Sequence, residues 1–236
     1  MNAAPPRTLT VVVPAYNEEA HVADAVAEAR KAVAGRVDDW EIVVVDDGSA
    51  DSTPTIVDRL AADDPRVRAV HNRPNRGLGG AYKAGVAAAR CAHVMMVPGD
   101  NAHPAAGIVP IVERIGEADI VVPYVTNAHT RPFARRVVSR AYTTLLNLLF
   151  GLRVPYYNGL VVHRTDLLRA ITIETDSFAY QAEALVKLLR GGASFVAVGV
   201  VIDEGPSHSS TAFRPRNVAR VCRTILRLVR DVHFKR

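Results

Sequence analysis

The chain has 236 residues, 49% of them hydrophobic, a formal net charge of +5 and two cysteines. That length and apolar share allow one sizeable core plus a short extension. The two cysteines, Cys91 and Cys222, exclude a disulfide framework and point to a reducing, cytoplasmic setting. The charge does not argue for nucleic acid. Eight of the 29 basic residues lie from Arg214 onward, against Asp231 alone, so the rest of the chain is slightly acidic. The opening residues MNAAPPR lack the apolar core of a signal peptide and read as a frayed end.

Short β-rich runs alternate with helical patterns. Thr8 to Pro14 reads as a strand, and Glu18 to Gly35 as a helix ending on glycine. Glu41 to Asp47 is a second strand. Ser52 to Asp63 is a helix with Ser52 or Thr53 as its N-cap and Pro54 in its first turn. Val67 to Asn72 is a third strand, and Gly77 to Arg90 a helix entered through glycines. His93 to Asp100 is a fourth strand, PAAGIVPIVERIG a helix, and Ala118 to Tyr124 a fifth strand. Residues 126–132, TNAHTRP, form the one plausible linker. The longest apolar run, Ala141 to Leu152, falls short of the about 18 residues a membrane span requires. Such alternation predicts an α/β fold, with right-handed crossovers and a mostly parallel sheet flanked by helices.

In an open parallel sheet, ligands bind beyond the carboxyl ends of the strands. Three strands end in polar groups: PAYNEE after the first, DDGS after the second and PGDN after the fourth. All three ends are expected on one edge, where a carboxylate holds a ribose, a base, or a metal bridging phosphates. For any one strand the plainer reading is that Asp46 or Asp47 caps the next helix.

TVVVPAYNEE, EIVVVDDGSADST and NRGLGGAYKAGVAAA together resemble the inverting glycosyltransferases of family 2, with the GT-A fold. Their order is most similar to the polyprenol-phosphate branch, the dolichol-phosphate mannose synthase-like enzymes. RRVVSRAYTTLLNLLFGL, NGLVVHRTDLL and FAYQAEALVKLLRGG agree, and the likeness covers roughly residues 8–213. The resemblance implies a nucleoside-diphosphate sugar donor, uridine or guanosine, with Pro14, Tyr16 and Glu18 lining the base pocket. Val45 and Asp47 would hold base or ribose, while Asp46 orders the loop. Arg135, Ser139 and Arg140 match the stretch near the acceptor phosphate, which an arginine fork suits. Arg135 would be catalytic by neutralising phosphate, and Glu183 would lie near the acceptor or else serve as a structural helix carboxylate. The implied reaction is a single displacement with inversion, which calls for alignment and for neutralisation of the leaving diphosphate.

The family's Asp-x-Asp is altered. Pro98 takes the first acidic position, and Asp100 remains as the expected catalytic and metal residue for Mg²⁺ or Mn²⁺, with Asn101 and His103 nearby. Ala102 stands where a ligating polar side chain is common. Val125, Gly205 and His208 stand where the pattern has arginine, arginine and glycine; Arg131, Arg214 or Arg216 are the candidate replacements. These losses leave three readings open: transfer to polyprenyl phosphate, transfer to a small soluble metabolite, or nucleotide-sugar binding without catalysis.

The tail, residues 214–236, is set apart from a domain spanning 1–213. Val218, Val221 or Cys222, Ile225, Leu228 or Val229, and Val232 form one apolar stripe on a helix flanked by arginines. Such a helix either lies in the cytoplasmic face of an anionic membrane as a peripheral anchor, or packs on the domain, or packs on a second subunit in a homodimer.

Overall fold

The computed structural model describes residues 5–202 and 215–233. The strands are β1 (Thr8–Ala15), β2 (Asp39–Asp46), β3 (Val67–His71), β4 (His93–Met96), β5 (Ile120–Val125), β6 (Val162–Arg164) and β7 (Phe195–Val200). The helices are α1 (Val22–Val33), α2 (Thr53–Asp63), α3 (Gly77–Ala88), α4 (Ala105–Val112), α5 (Phe133–Phe150), α6 (Thr165–Ala170), α7 (Tyr180–Arg190) and α8 (Pro215–His233). One seven-stranded sheet runs in the order β3-β2-β1-β4-β6-β5-β7. Its pairs are parallel except where β6 meets β4 and β5.

The first two strands show why the sheet sits centrally. Val12, Val43 and Val45 point into one core cluster, while Leu9, Val11, Val13, Ile42 and Val44 point into another across the sheet. Both faces are covered, so β1 and β2 read as unbroken apolar runs rather than alternating ones. Each fully buried side chain contributes about 1.5–3 kcal/mol. A Cβ at Gly85 would come within 2.2 Å of Val12, so α3 lies directly on β1.

Three sequence expectations shift. The first helix begins at Val22 rather than Glu18, because the amides of Asn17, Glu18 and Glu19 donate to the Ser49, Thr53 and Asp51 side chains. The fourth strand stops at Met96, short of Pro98, which has no N–H to donate. Helix α8 lays its stripe on the domain: Ile225 and Leu228 are buried in the core, with Val221, Val229 and Val232 packed against it. The stripe is therefore not presented to a bilayer. No helix of the described residues is long and apolar enough to cross a membrane.

Candidate active site

Strands β2, β1 and β4 are neighbours, so their carboxyl ends meet on one edge, as their polar endings require. Main-chain bonds stitch the ends together. The Asp47 amide donates to the Ala15 carbonyl at 2.8 Å, and the Gly99 amide to the Pro14 carbonyl at 3.0 Å. The loops beyond are also zipped: Asn17 N to Ser49 Oγ at 3.0 Å, Glu18 N to Thr53 Oγ1 at 2.8 Å, and Ala50 N to Asn17 Oδ1 at 2.9 Å. This holds Tyr16, half of it exposed, at the rim, with Glu18 half-buried beside it. Pro14 is buried. The Val45 side chain is packed in the core and offers no contact at the rim.

The paired acids divide their work. Asp46 is fully buried; it accepts from Ser49 N at 3.0 Å and meets His71 Nδ1 at 3.1 Å. Burial pushes its carboxyl up, but the bonds from Ser49 and His71 outweigh this and hold it below the usual range. His71 also meets Asp58 at 3.0 Å; burial pulls the imidazole down, and the two carboxylates carry it above its usual value. Asp47 is buried too. Its carboxylate accepts from Asn72 Nδ2 at 2.8 Å, Arg76 N at 3.0 Å and Gly77 N at 2.8 Å. It thus faces the 72–77 loop and fixes the entry to α3. Gly77 there has φ +74°, a left-handed conformation that favours glycine.

At the β4 end, Asp100 is half-buried and accepts from the Ala102 amide at 3.1 Å. Burial lowers the His103 pKa, Asp100 raises it, and Arg131 lowers it further, which keeps a neutral imidazole beside the carboxylate. Asn101 sits at φ +56° with its Oδ1 buried and without a hydrogen-bond partner. These donors fit a divalent cation only as a partial set. No group of three or more His, Cys, Asp or Glu among the described residues is arranged to hold a metal. Substrate phosphates and water would have to complete the shell, as is common for Mg²⁺.

Of the acceptor-side residues, Arg135 and Arg140 are exposed and Ser139 is half-buried, all on α5. At 3.6 residues per turn, Arg135 and Ser139 lie about 40° apart around the helix and Arg140 about 140° from Arg135. The same helix exposes Phe133, Val137, Val138, Leu145 and Leu148, with Phe133 at 72% and Leu148 at 78%. Glu183 is not brought to this surface. It is fully buried on α7, where Oε1 accepts from Glu174 N at 3.0 Å and Lys187 Nζ at 2.7 Å. Its Oε2 accepts from Thr175 N and Arg227 Nη2, each at 3.0 Å. Burial raises this carboxyl, and Lys187 with the two amides brings it below its usual value. Of the expected replacement cations, Arg131 follows the 3₁₀ turn Ala128–Thr130 close to His103. Gly205, His208, Arg214 and the Arg216 side chain lie outside the described residues. Sequence reasoning missed a cluster of Arg76, Arg220 and Arg223, because its members are scattered along the chain. His163 is fully buried on β6, and burial pushes its imidazole down to about 3.

The sheet order and the stitched polar edge define the α/β class of GT-A nucleotide-sugar transferases. The chain matches the model of glycosyl transferase family 2 over residues 10–172 and belongs to that family. It is therefore a glycosyltransferase. It is 30% identical over 194 residues to the glycosyltransferase AglD of Haloferax volcanii, covering 78% of this chain and 31% of AglD. Against the undecaprenyl-phosphate mannosyltransferase of Micrococcus luteus it is 29% identical, covering 84% of each chain. The polyprenol monophosphomannose synthase of Mycolicibacterium smegmatis is 28% identical, with 84% of this chain and 78% of that protein covered. The fold is shared with glucosyl-3-phosphoglycerate synthase of Mycobacterium tuberculosis, solved in complex with Mn²⁺, UDP and glucosyl-3-phosphoglycerate. The TM-score is 0.69 at 20% identity, covering 96% of this chain and 80% of the other.

Proposed function

We propose that this glycosyltransferase moves a sugar from a uridine or guanosine diphosphate donor to a phosphate-bearing acceptor, a polyprenyl phosphate first among them. The observation that carries this is the edge beyond β1, β2 and β4, where residues 14–18 are bonded to Asp47, Ser49 and Thr53 on one side and to Gly99 on the other. The polyprenyl-phosphate names of two relatives, each matched over 84% of this chain, support the acceptor. A phosphate oxygen is anionic at neutral pH and attacks the anomeric carbon without a strong base, so the chain's task is alignment and charge neutralisation.

Tyr16 and Glu18 would receive the nucleoside at the rim. Asp47 would act by fixing the 72–77 loop. Arg135 with Ser139 would hold the acceptor phosphate. Asp100 and His103, with Asn101 Oδ1, would hold a divalent cation. When bound, that ion supplies positive charge to the departing diphosphate.

Helix α5 supports contact with a lipid surface better than α8 does, because its apolar side chains stand exposed beside Arg135 and Arg140. A small soluble acceptor is favoured by one observation, the docking of the α8 stripe on the domain. Nucleoside diphosphate release is the test, with several uridine and guanosine diphosphate sugars offered alone, with a short polyprenyl phosphate, or with soluble phosphorylated metabolites. Release that depends on the prenyl phosphate supports the proposal; release only with soluble acceptors rejects the lipid acceptor, and none with any donor rejects transfer.

A further inference from the structure

A polar cavity of about 400 Å³ lies between the start of α3, the loop before α7, and α8. Arg76 lines it from the α3 side. Arg220, Arg223 and Arg227 line it from α8, where a spacing of three and four sets them on one side of the helix. That side is distinct from the one carrying Ile225 and Leu228, which faces the core. Thr175, Ser177 and Thr224 also line the cavity, all three buried and joined hydroxyl to hydroxyl: Thr175 to Ser177 at 2.8 Å and Thr224 to Thr175 at 3.2 Å.

The charges here do not balance. Arg227 is committed to Glu174 at 3.1 Å and Glu183 at 3.0 Å. Asp176, the one acid lining the cavity among the described residues, is committed to Lys83 at 2.6 Å. Arg76, Arg220 and Arg223 have no carboxylate within ion-pair distance among the described residues. Three guanidinium groups around one polar space repel one another unless an anion lies between them. Their planar forks suit the oxygens of phosphate, and a phosphate monoester brings nearly two negative charges at neutral pH. The volume exceeds that of phosphate alone, leaving room for the group that carries it.

We propose that this cavity, walled by Arg76, Arg220 and Arg223, binds a phosphate-type oxyanion. It lies on the substrate side of the sheet, since α3 follows the carboxyl end of β3 and Asp47 holds the amides of Arg76 and Gly77. The anion comes either from the donor's diphosphate or from the acceptor's terminal phosphate. Only that choice of source rests on the proposed function; the anion site itself does not.

The test is calorimetry on the full chain and on the double variant R220Q/R223Q, with inorganic phosphate, UDP, GDP and farnesyl phosphate as probes. Both side chains are exposed and make no ion pair among the described residues, so the variant keeps the parent's urea midpoint. A control variant, R59Q/R190Q, removes the same charge from elsewhere on the surface. The proposal requires inorganic phosphate to bind the parent and the control, and the double variant at least tenfold more weakly. A parallel loss for UDP or GDP identifies the donor diphosphate as the source; a parallel loss for farnesyl phosphate identifies the acceptor. If neither nucleotide binds the parent while the arginine-dependent phosphate site persists, the donor reading fails and the site stands. No phosphate binding by the parent, equal binding by the double variant, or an equal loss in the control overturns the proposal.

Discussion

Replacing Glu183 with glutamine removes one charge and little volume from the point where α7, α8 and the 174–175 turn meet. The carboxylate accepts four hydrogen bonds, two from amides and two from cations, and is itself fully buried. Removing one partner of a buried charged pair costs about 3–5 kcal/mol. The lower end applies here. Lys187 and Arg227 are 19% and 26% exposed, and both have Glu174 in reach at 3.7 and 3.1 Å. An expected loss of about 3 kcal/mol lowers the urea midpoint by about 1 M if m is about 3 kcal/mol/M.

The pH dependence follows from the sign of the shift. The folded pKa of Glu183 lies below its unfolded value, so its contribution is present above the unfolded pKa and is lost as pH falls through the folded one. The parent should therefore lose stability on acidification more steeply than the glutamine variant. Urea melts of both proteins between pH 3 and pH 7 check this. Coincident midpoints at pH 7 would refute the assignment of Glu183 as the hub that locks α8 to the domain.

Three further outcomes are expected. Deleting residues 215–236 exposes the surface covered by Ile225 and Leu228, each worth about 1.5–3 kcal/mol, and removes Arg227 from Glu183, so the truncated chain should melt well below the parent. Thermal scans showing an equally stable truncated domain would contradict the docking of α8. Asp47→Asn weakens the carboxylate's hold on Asn72 and the two amides, and should cost about 1–3 kcal/mol in UDP or GDP affinity through a looser 72–77 loop; unchanged titrations by calorimetry would exclude Asp47 from nucleotide binding, directly or through the loop. Asp100→Ala should abolish cation-dependent turnover while leaving the circular dichroism melt in place; turnover that survives excess chelator in the parent would assign Asp100 another role.

The strand ends were legible because their signals are local. An apolar run that stops on Asp46-Asp47 or on Gly99-Asp100 says where a buried strand meets water, and the sheet order then brings those ends together. The α8 stripe was equally legible, but its partner was not: a stripe specifies an apolar face and not what covers it. Strand β6 has only three residues, too few for a periodic signal, and its antiparallel pairing depends on β4 and β5. The direction of the Asp47 carboxylate was hidden for a similar reason. Its partners lie 25 to 30 residues away, and only the fold brings the 72–77 loop against β2. The arginine cavity is the extreme case, joining residue 76 to residues 175–177 and 220–227. Glu183 shows the reverse: the motif marked the residue, and burial with four internal bonds defines its role.

The stereochemistry of the transferred sugar tests the central claim most directly. Proton NMR of the glycosyl phosphate formed from an α-linked nucleoside-diphosphate sugar and a short polyprenyl phosphate reports the configuration at the anomeric carbon. A single displacement across the edge formed by β1, β2 and β4 predicts the β-linked product, dependent on added acceptor. An α-linked product, or no glycosyl phosphate despite demonstrated nucleotide binding, would contradict it.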